Sequence, residues 1–101
     1  MRLYDIVLAA QPLQKLVNQD LPLREAYKVA MLATRVNPHL EFYGEELAKG
    51  KPEKDLNDFD VPEFDTVEPI MLDMSLDIKL SAADIKRLEP FVTFADGGGA
   101  A

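Results

Sequence analysis

Cysteine is absent from this 101-residue chain, and that omission removes disulfides, zinc–thiolate centres and cysteine nucleophiles together. It is compatible with a reducing compartment. Histidine occurs once, at His39. No orienting acid or nucleophile motif accompanies it, so it reads as a surface helix residue and not as a catalytic base. Long apolar runs are also missing. None approaches the roughly 18 residues that span a bilayer, and Asp5 interrupts the N-terminal stretch where a signal peptide needs an uninterrupted apolar core. The expectation is a cytoplasmic protein with no membrane partner. Glycine is sparse, and three of the five residues form the run Gly97-Gly98-Gly99. That run sits in a tail without the following helix that a phosphate cradle needs.

Basic residues are scarce in one half only. Residues 1–50 carry six basic and six acidic side chains, whereas residues 51–101 carry five and twelve, which accounts for the whole net charge of −7. Between Glu53 and Asp77 nine acids meet only Lys54. Direct nucleic-acid binding by that half is excluded on charge, because affinity for phosphates rests on cationic side chains displacing counterions.

What is present is the composition of one globular domain, 48 % apolar and 29 % charged, with a tail from residue 95 expected to be flexible. A chain this short buries only about 60–68 % of its unfolded surface, so a partner or a second copy would help it. The pattern predicts a mostly helical α+β fold with two or three N-terminal helices.

Leu3, Ile6, Val7 and Ala10 follow helical spacing up to Pro12, and Leu13, Leu16 and Val17 continue the face; a strand over Arg2–Ala9 is the alternative. Pro22 suits the first turn of a second helix. From Leu23, apolar residues at Ala26, Tyr27, Val29, Ala30, Met31, Leu32, Ala33 and Val36 wrap most of its circumference. A helix of that kind is buried on more than one side, so it is either central or at a subunit interface, with Tyr27 and Met31 as candidate self-association residues. Asn37-Pro38 predicts a new helix or a kink. Gly50 followed by Pro52 predicts a stop.

Residues 51–68 read as an acidic loop. Strict alternation from Ile70 to Ser81 then predicts one long half-buried strand near 69–80, which needs a partner strand because a lone strand is unstable in water. Ser81 and Asp84 predict a capping box opening a helix over 82–89, with Ile85 and Leu88 inward. Phe91, Val92 and Phe94 form an extended segment that could pair with the strand.

Two chemistries fail on this pattern. Asp55, Asn57, Asp58, Asp60, Glu63 and Asp65 offer hard oxygen ligands, but a calcium loop counted from Asp55 would need Gly and Glu where Asp60 and Thr66 stand. Paired carboxylates for acid–base catalysis have no supporting motif. No catalytic residue, cofactor or metal is therefore expected. The bland reading of the acidic stretch is a solvated, solubilising surface. The functional readings are a partner-binding segment, with Phe59 and Phe64 as anchors among Asp58, Asp60, Glu63 and Asp65, or a phosphate mimic occupying the basic groove of a nucleic-acid enzyme.

The stretches Asn18-Gln19-Asp20-Leu21-Pro22-Leu23 and Ala26-Tyr27-Lys28-Val29-Ala30, with Leu80-Ser81-Ala82-Ala83-Asp84-Ile85 and Leu88-Glu89-Pro90-Phe91-Val92, resemble small proteins encoded by phages and prophages of Gram-positive bacteria, a family of unknown function. The likeness covers about a third of the chain and fails in the middle section. It implies a phage or prophage origin, in a host cytoplasm or on a virion, and supplies no catalytic residue. The sequence thus points to a non-enzymatic interaction module that self-associates and binds a protein partner, as a virion-assembly helper or host-directed factor. The alternative is an acidic inhibitor of a host nucleic-acid-binding defence enzyme.

Overall fold

The computed structural model describes residues 1–66 and 68–95; Val67 and the tail from Asp96 lie outside the described residues. The elements in order are α1 (Leu3–Val17), α2 (Leu23–Ala48), α3 (Glu53–Asn57), a 3-10 turn (Pro62–Asp65), β1 (Ile70–Asp73), α4 (Ala82–Leu88) and β2 (Val92–Ala95). The fold is mostly helical α+β, as the sequence pattern predicts. Among the described residues, no helix is long and apolar enough to cross a membrane.

α1 forms because Leu3, Ile6, Ala9, Leu13 and Leu16 recur at helical spacing, and all five are buried. The strand alternative for Arg2–Ala9 is overturned. Pro12 neither ends nor restarts the helix. A mid-helix proline costs about 3 kcal/mol in an isolated helix, but this ring is fully buried in the core, where packing offsets the lost hydrogen bond. α2 likewise runs unbroken through Pro38, so Asn37-Pro38 starts no new helix. Thr34, whose carbonyl loses its partner there, is exposed, so water can take the bond.

α2 ends as its sequence foretells. Gly50 has φ +89°, Lys51 N–H donates to the Glu46 carbonyl at 3.1 Å and Gly50 N–H to that of Leu47 at 3.0 Å. This paired arrangement satisfies carbonyls the helix leaves open and needs glycine for the left-handed turn.

The predicted long strand is corrected to four residues. β1 pairs in parallel with β2, Ile70 beside Val92 through Asp73 beside Ala95. Pairing stops at Asp73 because that residue folds the chain back: its carboxylate accepts from Ser75 N–H at 2.9 Å and its carbonyl from Leu76 N–H at 3.1 Å. Such local bonds compete directly with a strand ladder. The alternation survives beyond the turn as a wall. Leu76, Ile78 and Leu80 are half-buried while Ser75, Asp77 and Lys79 are exposed. With Met74, Ile85 and Phe94 they line a shallow apolar cleft of about 140 Å³.

The acidic loop over 51–68 is corrected as well. It holds α3 and the 3-10 turn, and it sends Leu56, Val61 and Phe64 inward. α4 opens with a complete capping box. Ser81 Oγ accepts from Asp84 N–H and Asp84 Oδ2 accepts from Ser81 N–H, both at 3.1 Å. Leu88 is buried as expected, but Ile85 is exposed, because α4 meets α1 along the Asp84–Leu88 side. Lys15 Nζ donates to Asp84 Oδ2 at 2.8 Å and ties α4 to α1.

The Lys15 hydrogen bond, helped by the Ser81 backbone, holds the Asp84 carboxyl below its ordinary value of 3.8. A depressed folded-state value stabilises the fold above the unfolded pKa, and the contribution is lost as pH falls below 3.8. Asp84→Asn is therefore expected to flatten the acid limb of a stability–pH curve measured by urea unfolding. Ser81→Ala should cost about 1 kcal/mol at neutral pH.

Candidate protein-interaction surface

The sequence-predicted residues separate into three groups. Phe64 is not a partner anchor. It is 4 % exposed, packs edge-on against Phe91 and His39, and carries the Arg35 guanidinium over its ring at 5.7 Å. A proline-started turn aims it inward, so its place in an acidic stretch misled the sequence reading. Phe59 lies on the surface: it is 51 % exposed and leans on Phe42 with ring centroids 5.8 Å apart.

The acids among them are mostly matched within the chain. Glu63 takes a hydrogen bond from His39 Nε2 at 2.9 Å and an ion pair from Arg35 at 3.5 Å. The His39 bond holds the Glu63 carboxyl below its ordinary value. The Met1 amine pairs with Asp60 at 3.2 Å and with Asp65, and the Asp65 bond raises that amine's pKa. Asp58 is exposed and makes no such pair among the described residues. His39 thus acts as a strut between α2 and the 3-10 turn, a role its sequence position gave no sign of. No group of three His, Asp or Glu side chains converges as metal ligands would among the described residues.

Tyr27 and Met31 belong to a third group. The core side of α2 carries Val29, Leu32 and Val36, all buried. Its opposite side carries Leu23, Tyr27 and Met31, 87 %, 65 % and 46 % exposed. Spaced four apart, these three stack along one ridge. Sequence reasoning singled out Tyr27 and Met31 and missed Leu23, the most exposed of the three. The signal was available, since Leu23 shares their i, i+4 spacing.

Charge on α2 is segregated. Residues 23–35 hold Arg24, Lys28 and Arg35 against Glu25, and residues 36–48 hold Glu41, Glu45 and Glu46 with no Lys or Arg. This opposes the helix dipole, which favours acids at the N-terminus and bases at the C-terminus by about 0.3–1 kcal/mol per group.

No family model matches the chain, and searches of curated proteins and of solved structures found no match.

The burial difference between the two phenylalanines is directly testable. Phe64→Ala should destabilise the fold by about 3–5 kcal/mol in chemical unfolding, whereas Phe59→Ala should change stability by about 1 kcal/mol or less.

Proposed function

We propose that this chain is a non-enzymatic protein-interaction module of phage type that self-associates through the outer face of α2 and binds a protein partner. The observation that carries the reading is the exposed ridge of Leu23, Tyr27 and Met31 on α2, with Tyr27 and Met31 lining a shallow groove beside Glu68 and Ile70. Three large apolar side chains in a row on one exposed helix face mark a contact site, whereas singly scattered ones are ordinary. Phe59 beside Phe42, bordered by Glu46, Lys51 and Asp55, offers a second apolar contact with a border of mixed charge. The one histidine hydrogen-bonds Glu63 and packs on Phe64, linking α2 to the 3-10 turn.

Phosphate mimicry is the weaker reading. Of its four carboxylates, Asp60, Glu63 and Asp65 already face cations of their own chain, so a basic groove would have to displace those pairs before gaining its own. A virion-assembly or host-directed role fits a surface that is apolar at its centre and charged at its edges.

Light scattering coupled to size-exclusion chromatography at micromolar concentration tests the proposal. The wild-type protein is expected above its monomer mass of 11.3 kDa. Tyr27→Glu buries a charge in the contact and should weaken association about tenfold or more, with an unchanged melting curve because Tyr27 is exposed. A wild-type monomer across the whole concentration range would overturn the reading.

A further inference from the structure

The charge pattern of α2 says how a second copy sits on that face, granted the proposed self-association. We infer that two copies pair antiparallel about a two-fold axis, with the basic first half of each α2 lying against the acidic second half of the other. Four charged residues carry the inference. Arg24, Lys28, Glu41 and Glu45 all lie on α2, and none makes an ion pair among the described residues. The neighbours that could have blurred the pattern are already used: Arg35 is paired with Glu63 and Glu46 with Lys49.

Arg24 against the partner's Glu45 sets the register, which also brings the half-buried Lys28 level along the axis with the partner's Glu41, on the opposite flank of the ridge. That register also lays Tyr27 on the partner's Phe42, beside Phe59, and Met31 on the partner's Pro38. Apolar contact then runs along the helix, with Arg24 and Lys28 on one flank and Glu41 on the other. A parallel pairing in register would set Arg24 on Arg24 and Glu45 on Glu45, and like charges facing each other are strongly disfavoured. The antiparallel arrangement brings each helix N-terminus to the other's C-terminus, where the dipoles attract. Arg24 and Glu45, each at the wrong end of its own helix, come beside the right end of the partner's. Because the contact is isologous, it closes at two copies and leaves no repeating edge.

The register places Thr34 beside the two-fold axis and separates the two Leu23 positions by about 35 Å, at 1.5 Å of rise per residue. The chain has no cysteine, so single-cysteine variants report cleanly. Under mild oxidation, Thr34→Cys should form an intermolecular disulfide and Leu23→Cys should not, since a disulfide needs Cα atoms within about 7 Å. Both positions are exposed. A second test is independent of disulfide geometry. Arg24→Glu with Lys28→Glu in one protein, and Glu41→Lys with Glu45→Lys in another, should each lose self-association, and an equimolar mixture should regain it as a 1:1 complex that weakens with added salt. Crosslinking at position 23 in place of 34, or dimers in either charge variant alone, would overturn the antiparallel register and leave self-association standing. A wild-type protein that is monomeric throughout would remove both.

Discussion

The structure depends on one short helix being enclosed. α1 is the element that α2, α3 and α4 all touch, and its five core side chains are withdrawn from water almost completely. At about 25 cal/mol per Å² of apolar surface buried, that stripe is the main stabilising contact available to so small a chain. The arrangement sets a geometric limit. Fifteen helical residues span about 22 Å and the 26 of α2 about 39 Å, so α1 can cover only part of the longer helix, and only on one side. The outer face of α2 is what that limit leaves over.

Around this centre the acidic segment is held by apolar side chains and not by its charge. Leu56, Val61 and Phe64 point inward, and Tyr43 adds a hydrogen bond to Asn57 at 3.0 Å that fastens α3 to α2. The carboxylates are then distributed to nearby cations: the Met1 amine for Asp60 and Asp65, and Arg35 and His39 for Glu63. Exposed pairs of this kind are each worth little. Their effect is to lower the local charge density at Asp60, Glu63 and Asp65, three of the seven acids between residues 51 and 68.

Much of the architecture was legible where a local rule has a single dominant competitor. The Gly50 stop, the Ser81–Asp84 capping box and the apolar stripe of α1 all follow from bonding needs within a few residues, and each is realised. The failures occur where tertiary packing overrides a local signal. Pro12 and Pro38 look like breaks, yet core burial at one and solvation at the other keep both helices whole. The alternation from Ile70 to Ser81 is a true one-sided apolar ribbon, but periodicity cannot report that Asp73 would turn the chain after four paired residues. Phe59 and Phe64 are alike in sequence context, and only the proline-led turn between them decides which goes inward. Of the candidate site, Tyr27 and Met31 were readable from an excess of apolar residues. Leu23 was readable from spacing alone, and the mirror-like charge of α2 became meaningful only once the helix proved continuous through Pro38.

That continuity matters to the energetics of α2. A helix broken at Asn37-Pro38 would have two short dipoles, with Glu41 near the start of the second, a favourable place. In one unbroken helix Glu41, Glu45 and Glu46 lie toward the C-terminal end and Arg24 lies in the first turn, so the same charges oppose the single dipole. A sequence specifies its fold best when local preference and global structure agree. α2 disagrees with itself twice, in an apolar ridge facing water and in charges set against its dipole. Natural proteins violate local rules mainly where function requires it, and a partner helix lying antiparallel on that ridge would resolve both at once. Under the proposed pairing, both features would be covered on the exposed surface of α2.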